Sequence, residues 1–391
     1  MSAVITGLES VIQNPPGCLK AKRIGLLSNP ASVDTRYRHA SQLISEAFPG
    51  QLRALFGPQH GIRGEKQDNM VESGNEWEPA LDIPVFSLYG AVRSPTPEML
   101  REIEVLVVDI QDVGTRVYTF IQSLALCMEA CVQSGITIVV LDRPNPLGGV
   151  AVEGPLLRQE FRSFVGLCPL PLRHGLTVGE LARLYADLWI QGCAVEVIPM
   201  EGWRRDMMFT HTGLPWVMTS PNMPTMDTAL VYPGQVILEG TNLSEGRGTT
   251  RPFEIFGAPF IQPHKLAAAL KVHKIPGIVF REAYFEPAFH KWTGQLCGGL
   301  QLHVADASLF RPLFTTVAIL REVMDMYPGQ FAWRPPPYEY EYEKLPVDII
   351  LGGDELRLML AAGASAQEIE SSWQKEQEEF KRFKQAYHLY Q

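Results

Sequence analysis

The residues best suited to chemistry fall in a few short polar segments. The richest is FGPQHGIRGEKQDNM, Phe56 to Met70, where three glycines and a proline force tight turns around Gln59, His60, Arg63, Glu65, Lys66, Gln67, Asp68 and Asn69. Carboxyl and imidazole groups there can move protons, and the amides and guanidinium can hold a polar ligand. A solvated loop whose charges satisfy one another would have the same composition.

A second segment sets Asp109, Gln111, Asp112, Arg116 and Tyr118 at the end of an apolar run. One carboxylate there is free to act on a substrate while the other is held by Arg116. For Asp109, still inside the run, an ion pair fixing the turn is the better reading. In LDRPNP, Pro144 and Pro146 stiffen the backbone around Asp142, Arg143 and Asn145, which suits recognition and a structural turn equally. Further on come Arg173 and His174, then Asn222, Asp227 and Tyr232, then Glu239, Asn242, Glu245, Arg247, Thr249 and Arg251. Carboxylate, amide and guanidinium groups among glycines are what sugar hydroxyls and a ligand carboxylate require.

These segments need a scaffold that gathers them. Short apolar runs near Arg23 to Ser28, Leu52 to Phe56, Ile83 to Leu88, Val105 to Ile110, Ile136 to Leu141 and Ala194 to Ile198 alternate with helical stretches. That order predicts an α/β domain on a mostly parallel sheet, over residues 1–238, followed by a smaller α+β domain over 239–391. Ligands of such sheets bind beyond the carboxyl ends of strands, where the polar segments fall. Phe120, Leu124, Cys127, Met128 and Cys131 recur at helical spacing, with the two thiols acting as small hydrophobes. Capping boxes begin helices at Thr177 with Glu180 and at Ser365 with Glu368, and the latter carries the stripe Ile369, Trp373, Phe380, Phe383 and Tyr387. The proline-dense stretch WRPPPYEYEYEK near Trp333 reads as a surface excursion, a plain loop more readily than part of a cleft wall.

Several functions are disfavoured. The first strand is followed by SNPASVD rather than a glycine-rich dinucleotide fingerprint, and no phosphate-loop, zincin or nucleophile-elbow motif occurs. The net charge of −9 argues against nucleic acid or anionic membrane as partner. Six scattered cysteines and an N-terminal stretch unlike a secretory signal suggest reduced thiols in the cytoplasm.

Taken in order, LLSNPASVD, FGPQHGIRG, SLYG, DIQDVGTRVYTF, LDRPNPLGG, VEGP, RHGLTVGELA, PNMPT, YPG and EGTNLSEGRGTTRPFE resemble the exo-β-N-acetylmuramidase family of bacterial glycoside hydrolases. The resemblance implies a Rossmann-like first domain, a cleft against the second, and removal of terminal N-acetylmuramic acid from peptidoglycan fragments without metal or organic cofactor. The substrate's lactyl carboxylate gives a role to Arg63, Arg116, Arg143, Arg247 and Arg251. One departure stands out: relatives carry Gly-Pro-Glu-His-Gly with a catalytic glutamate, and this chain has Gln59 there. An amide cannot donate the proton, so another carboxyl must serve. Glu65 is the nearest, with Asp68, Asp112, Glu239 and Glu245 as further options; Asp112 or His60 would orient the substrate acetamide if that group is the nucleophile. A muropeptide-binding protein without catalysis and an exo-glycosidase for another amino sugar are the rival readings. Without a secretory signal, the enzyme would meet imported fragments during cell-wall recycling.

Overall fold

The computed structural model describes residues 3–67 and 70–391, so Asp68 and Asn69 lie outside the described residues. Strands β1 (Ile24–Ser28), β2 (Leu52–Gly57), β3 (Glu76–Glu78), β4 (Ile83–Ser87), β5 (Val105–Asp109) and β6 (Thr137–Leu141) come first; β3 was not expected, and each of the others lies within a residue or two of its expected place. After β7 (Glu153–Leu156) and β8 (Pro171–Arg173), which pair with one another, β9 (Val195–Ile198) completes a seven-stranded sheet. Its order is β3-β4-β2-β1-β5-β6-β9, with only β3 antiparallel to its neighbour. Counting the parallel strands alone, this is the doubly wound 3-2-1-4-5-6 order, in which the chain reverses direction between β1 and β5. Both faces of β1 and β5 are buried, which is why they read as unbroken apolar runs.

Helices α1 (Gly7–Gln13), α2 (Ala40–Ala47), α3 (Pro97–Leu100), α4 (Phe120–Ser134) and α5 (Val178–Leu188) flank this sheet. The Thr177–Glu180 capping box starts α5, and α4 ends at Gly135 with φ 67°, a conformation glycine adopts without strain. The second half contains α6 (Met226–Gln235), β10 (Ile255–Ala258), α7 (Pro263–Leu270), β11 (Ile278–Phe285), β12 (Cys297–Val304), α8 (Pro312–Met326), α9 (Pro346–Leu351), α10 (Glu355–Ala361) and α11 (Ala366–Phe383). Its sheet is antiparallel, in the order β10-β12-β11, with α6 and α7 packed on α8. The two halves share a core: one hydrophobic cluster runs from Val108 and Leu124 through Leu172 and Leu313 to Trp373 and Phe380. Full burial of each large apolar side chain contributes on the order of 1.5–3 kcal/mol, so the α11 stripe ties the chain's end to the whole molecule. Phe383 alone of that stripe is exposed, at 43%.

The cysteines are free thiols, and Cys127 and Cys131 are buried in α4. Among the described residues no group of three or more His, Cys, Asp or Glu side chains could hold a metal ion, and no helix is long and apolar enough to cross a membrane.

Candidate active site

Loops leaving the carboxyl ends of β2 and β5 meet the second half around a narrow polar cavity. Gln59 and His60 enter from the loop after β2, Tyr118 and Thr119 from the segment between β5 and α4, and Ser220 and Asn222 from the stretch before α6. Tyr232, Glu239, Arg247, Tyr338 and Glu339 close it from the C-terminal side. The empty space totals about 440 Å³, of which only about 30 Å³ admits the centre of a water molecule. A ligand larger than a few atoms must therefore widen it on entry.

Glu339 is the central carboxyl. It is 4% exposed, and its Oε1 accepts from Gln59 Nε2 at 3.0 Å while Oε2 accepts from the Tyr89 hydroxyl at 2.6 Å. Burial pushes its pKa above the usual carboxylate value, with the charge of Glu239 acting in the same sense against the two hydrogen bonds. The backbone holding it is unusual: Tyr338 and Glu341 exchange N–H···O bonds at 2.9 Å in both directions, leaving Glu339 (φ 45°) and Tyr340 (φ 66°) as the two central residues of a turn. Two successive positive φ values normally call for Asn-Gly, so this turn stores strain beside the carboxyl. Contacts to the first half offset it. Arg93 stacks its guanidinium 4.1 Å from the Tyr89 ring and 4.4 Å from the Tyr340 ring, and the Tyr340 hydroxyl donates to Glu72 at 3.2 Å.

Glu239 faces the same cavity in a different setting. Its Oε1 accepts from Arg247 Nη2 at 2.7 Å and Nε at 3.2 Å, and its Oε2 from the Tyr338 hydroxyl at 2.7 Å. Behind the wall, Glu245 is fully buried against Lys291 (2.8 Å), His290 (3.1 Å) and Arg247 (3.5 Å). Burial alone would raise its pKa; the Lys291 and Arg247 charges with the His290 contact outweigh it and hold the carboxyl well below its ordinary value. Lys291 also donates to the carbonyls of Leu238 and Leu243, fixing the turn that bears Glu239. On the opposite wall, Thr119 donates to Gln59 Oε1 at 2.5 Å, so the amide is oriented with its N–H toward Glu339.

Of the residues expected from sequence, Gln59, His60, Tyr118, Asn222, Glu239 and Arg247 meet at this cavity. His60 has φ 73°, and its Nδ1 contacts Lys66 O at 2.7 Å; the Tyr118 hydroxyl pairs with Thr219, and Asn222 donates to Gln67 O. Glu65 does not reach the cavity. Gly61, with φ 82°, lets the Glu65 carboxylate fold back so closely that a Cβ there would lie 2.6 Å from it, and the group faces a separate crevice lined by Gly57, Ser73 and Ser87. Asp112 is likewise elsewhere: its Oδ2 accepts from Gly114 N at 2.6 Å within a turn, and burial pushes its pKa up to about 7.

Four of the five expected arginines serve other ends. Arg116 is fully buried and donates to the carbonyls of Pro155, Leu170 and Ile350; Arg143 forms a buried pair with Asp109, whose Oδ2 lies 2.8 Å from its Nη2. Arg63 pairs with Glu76 and Glu78 at the surface, and Arg251 with Glu254. Asn145 and Asn242 spend their amides on backbone groups, donating to Leu176 O and Gln330 O, and Thr249 donates to Gly246 O. The WRPPPYEYEYEK stretch takes the second of its two expected forms, a cleft wall rather than a plain loop, and supplies Tyr338 and Glu339. The signal was its alternation of aromatic and acidic residues after three prolines, but nothing local shows that residue 339 faces residue 59.

Two family models describing exo-beta-N-acetylmuramidase NamZ match this chain, the N-terminal one over residues 24–227 and the C-terminal one over 230–390. The chain is 42% identical over 387 residues to peptidoglycan beta-N-acetylmuramidase NamZ of Bacillus subtilis (strain 168), covering 99% of this chain and 91% of that protein. A crystal structure of a DUF1343 family protein from Bacteroides fragilis NCTC 9343 matches with a TM-score of 0.89 at 33% identity, covering 100% of this chain and 99% of that one. A second DUF1343 protein from the same organism matches with a TM-score of 0.77 at 30% identity, with the same coverage.

Proposed function

This chain belongs to the exo-β-N-acetylmuramidase NamZ family, and from that membership we propose that it hydrolyses the bond to a terminal N-acetylmuramic acid in peptidoglycan fragments, with Glu339 as general acid. One observation carries the assignment of the acid. Two buried carboxyl groups face one cavity with contrasting partners: among the described residues Glu339 meets only the neutral donors Gln59 and Tyr89 and burial raises its pKa, whereas Glu239 is bound by the Arg247 guanidinium. Environments that split two carboxyls in this way mark the acid and its charged partner in glycoside hydrolysis.

In the proposed reaction Glu339 delivers its proton to the glycosidic oxygen as the bond to the anomeric carbon breaks. The Glu239 carboxylate supports the positive charge that develops at that carbon, and water then bonds to it while giving a proton back to the Glu339 carboxylate. Arg247, the one expected arginine on the cavity wall, supplies a guanidinium for the lactyl carboxylate. The replacement of the family glutamate by Gln59 is then a change of donor, since the amide now holds the acid rather than being it.

Comparing a β-linked muramyl disaccharide with 4-nitrophenyl β-N-acetylmuramide tests this. Glu339→Gln should lower turnover of the disaccharide by about 10²–10⁴-fold and of the nitrophenyl glycoside far less, because nitrophenolate leaves without a proton. Equal losses on both would remove Glu339 as the acid, and wild-type binding without turnover would favour a muropeptide-binding protein. Six free thiols suit a reducing compartment, which supports action on imported fragments in the cytoplasm; recovery of the protein outside intact cells would count against that placement.

A further inference from the structure

A second cavity lies at the seam of the two halves, formed by residues 147–153, Arg173 and Arg205 on one side and residues 307–311 with α11 on the other. It offers about 410 Å³ to water-sized centres, far more than the catalytic cavity, and is large enough for a sugar or an amino acid without rearrangement. None of its lining residues is shared with the catalytic cavity.

Four basic side chains, Arg173, Arg205, Arg311 and Lys381, line it with three acids, Glu153, Asp206 and Glu370. Arg173 is 5% exposed and donates from Nη2 to Leu147 O at 2.6 Å, while its Nε is closed off from solvent. The acid whose charge it feels is Glu153, and burial pushes that group up to about 7 while its Oε1 accepts from Phe314 N. Near neutral pH the Arg173 charge is therefore only partly matched. Arg205, also buried, is paired with Glu180 and donates to the carbonyls of Gly149 and Gly175, and Arg311 at the mouth is paired with Glu370. Leu147, Val152 and Phe310 make the remaining wall apolar. Basic groups gathered beside an apolar wall are complementary to an anion with an apolar edge.

We infer that this cavity is a second ligand site, for a small carboxylate of sugar-acid or amino-acid size. The site abuts the catalytic segment: Thr115 bridges to Arg173, and Arg116 N donates to Leu172 O, a few residues before Tyr118 and Thr119.

Calorimetry on the full chain with D-glucuronate, L-glutamate and N-acetylmuramic acid, each beside its neutral counterpart D-glucose, L-glutamine or N-acetylglucosamine, tests the inference. At least one carboxylate should bind saturably and more tightly than its counterpart. Val150→Trp, which fills the mouth from a position 63% exposed, should weaken that binding by about tenfold or more while leaving hydrolysis intact, and Arg173→Gln should weaken it similarly. Three results would overturn the site: no carboxylate of the set binding at about 10 mM, binding unchanged in both variants, or binding lost in Glu239→Gln but kept in Val150→Trp.

Discussion

The phenolic oxygen of Tyr89 lies 2.6 Å from Oε2 of Glu339, across 250 positions of sequence. Tyr89 follows β4 of the parallel sheet, whereas Glu339 sits on a strained turn of the other half. Burial raises the proton affinity of the proposed acid, and a donor from the opposite side of the seam tempers it.

Tyr89→Phe removes a hydrogen bond that favours the ionised form of Glu339, so the carboxyl should hold its proton to higher pH. Because the acid must be protonated to act, the alkaline limb of kcat/KM should move upward, on the order of one pH unit. A limb that moves down or stays would separate Tyr89 from the acid.

Gln59→Glu places a second carboxyl where Nε2 now donates to Glu339. Two such groups in contact cannot both ionise readily and would titrate as a pair. Activity should persist, with an alkaline limb raised and spread over two steps. A wild type without turnover that gains it only in this variant would exclude Glu339 as the acid.

For Asp112 the expected effect is on stability rather than turnover. Its folded pKa, about 7, lies above the ordinary carboxylate value, so the favourable contribution of its protonated form is complete at low pH and is lost as pH rises from about 4 to 7. Asp112→Asn should gain stability relative to wild type between pH 5 and pH 8, on the order of a few kcal/mol, and keep its activity. Urea midpoints at the two pH values measure the first, and loss of turnover would return Asp112 to the catalytic set.

Glu245→Ala leaves Lys291 and Arg247 buried with less counter-charge, a loss of about 3–5 kcal/mol in urea unfolding. Since the folded pKa of Glu245 is depressed, its contribution is present above the ordinary carboxylate range and disappears as pH falls through the depressed value. The variant should therefore lose its disadvantage in strong acid.

The parallel sheet was legible because its strands are buried on both faces and each announces itself as an apolar run. Gln59 and Tyr118 followed from their place beyond strand ends. The arginines misled, since a guanidinium suits backbone carbonyls as well as a substrate carboxylate, and only packing distinguishes Arg116 from Arg247. Glu65 looked close because it is near in sequence, yet the Gly61 turn directs it away. Glu339 was hidden for the opposite reason: its partners Gln59 and Tyr89 are supplied by long-range docking, which no local pattern encodes.

The turn bearing Glu339 is made late in the chain, after Gln59, Tyr118 and Glu239 have already been laid down. The proposed proton donor therefore joins the cavity only when a segment near residue 339 of 391 has docked against Gln59 and Tyr89. If Glu339 is the acid, copies cut short before this turn should be inactive, and activity should count only chains that carry it.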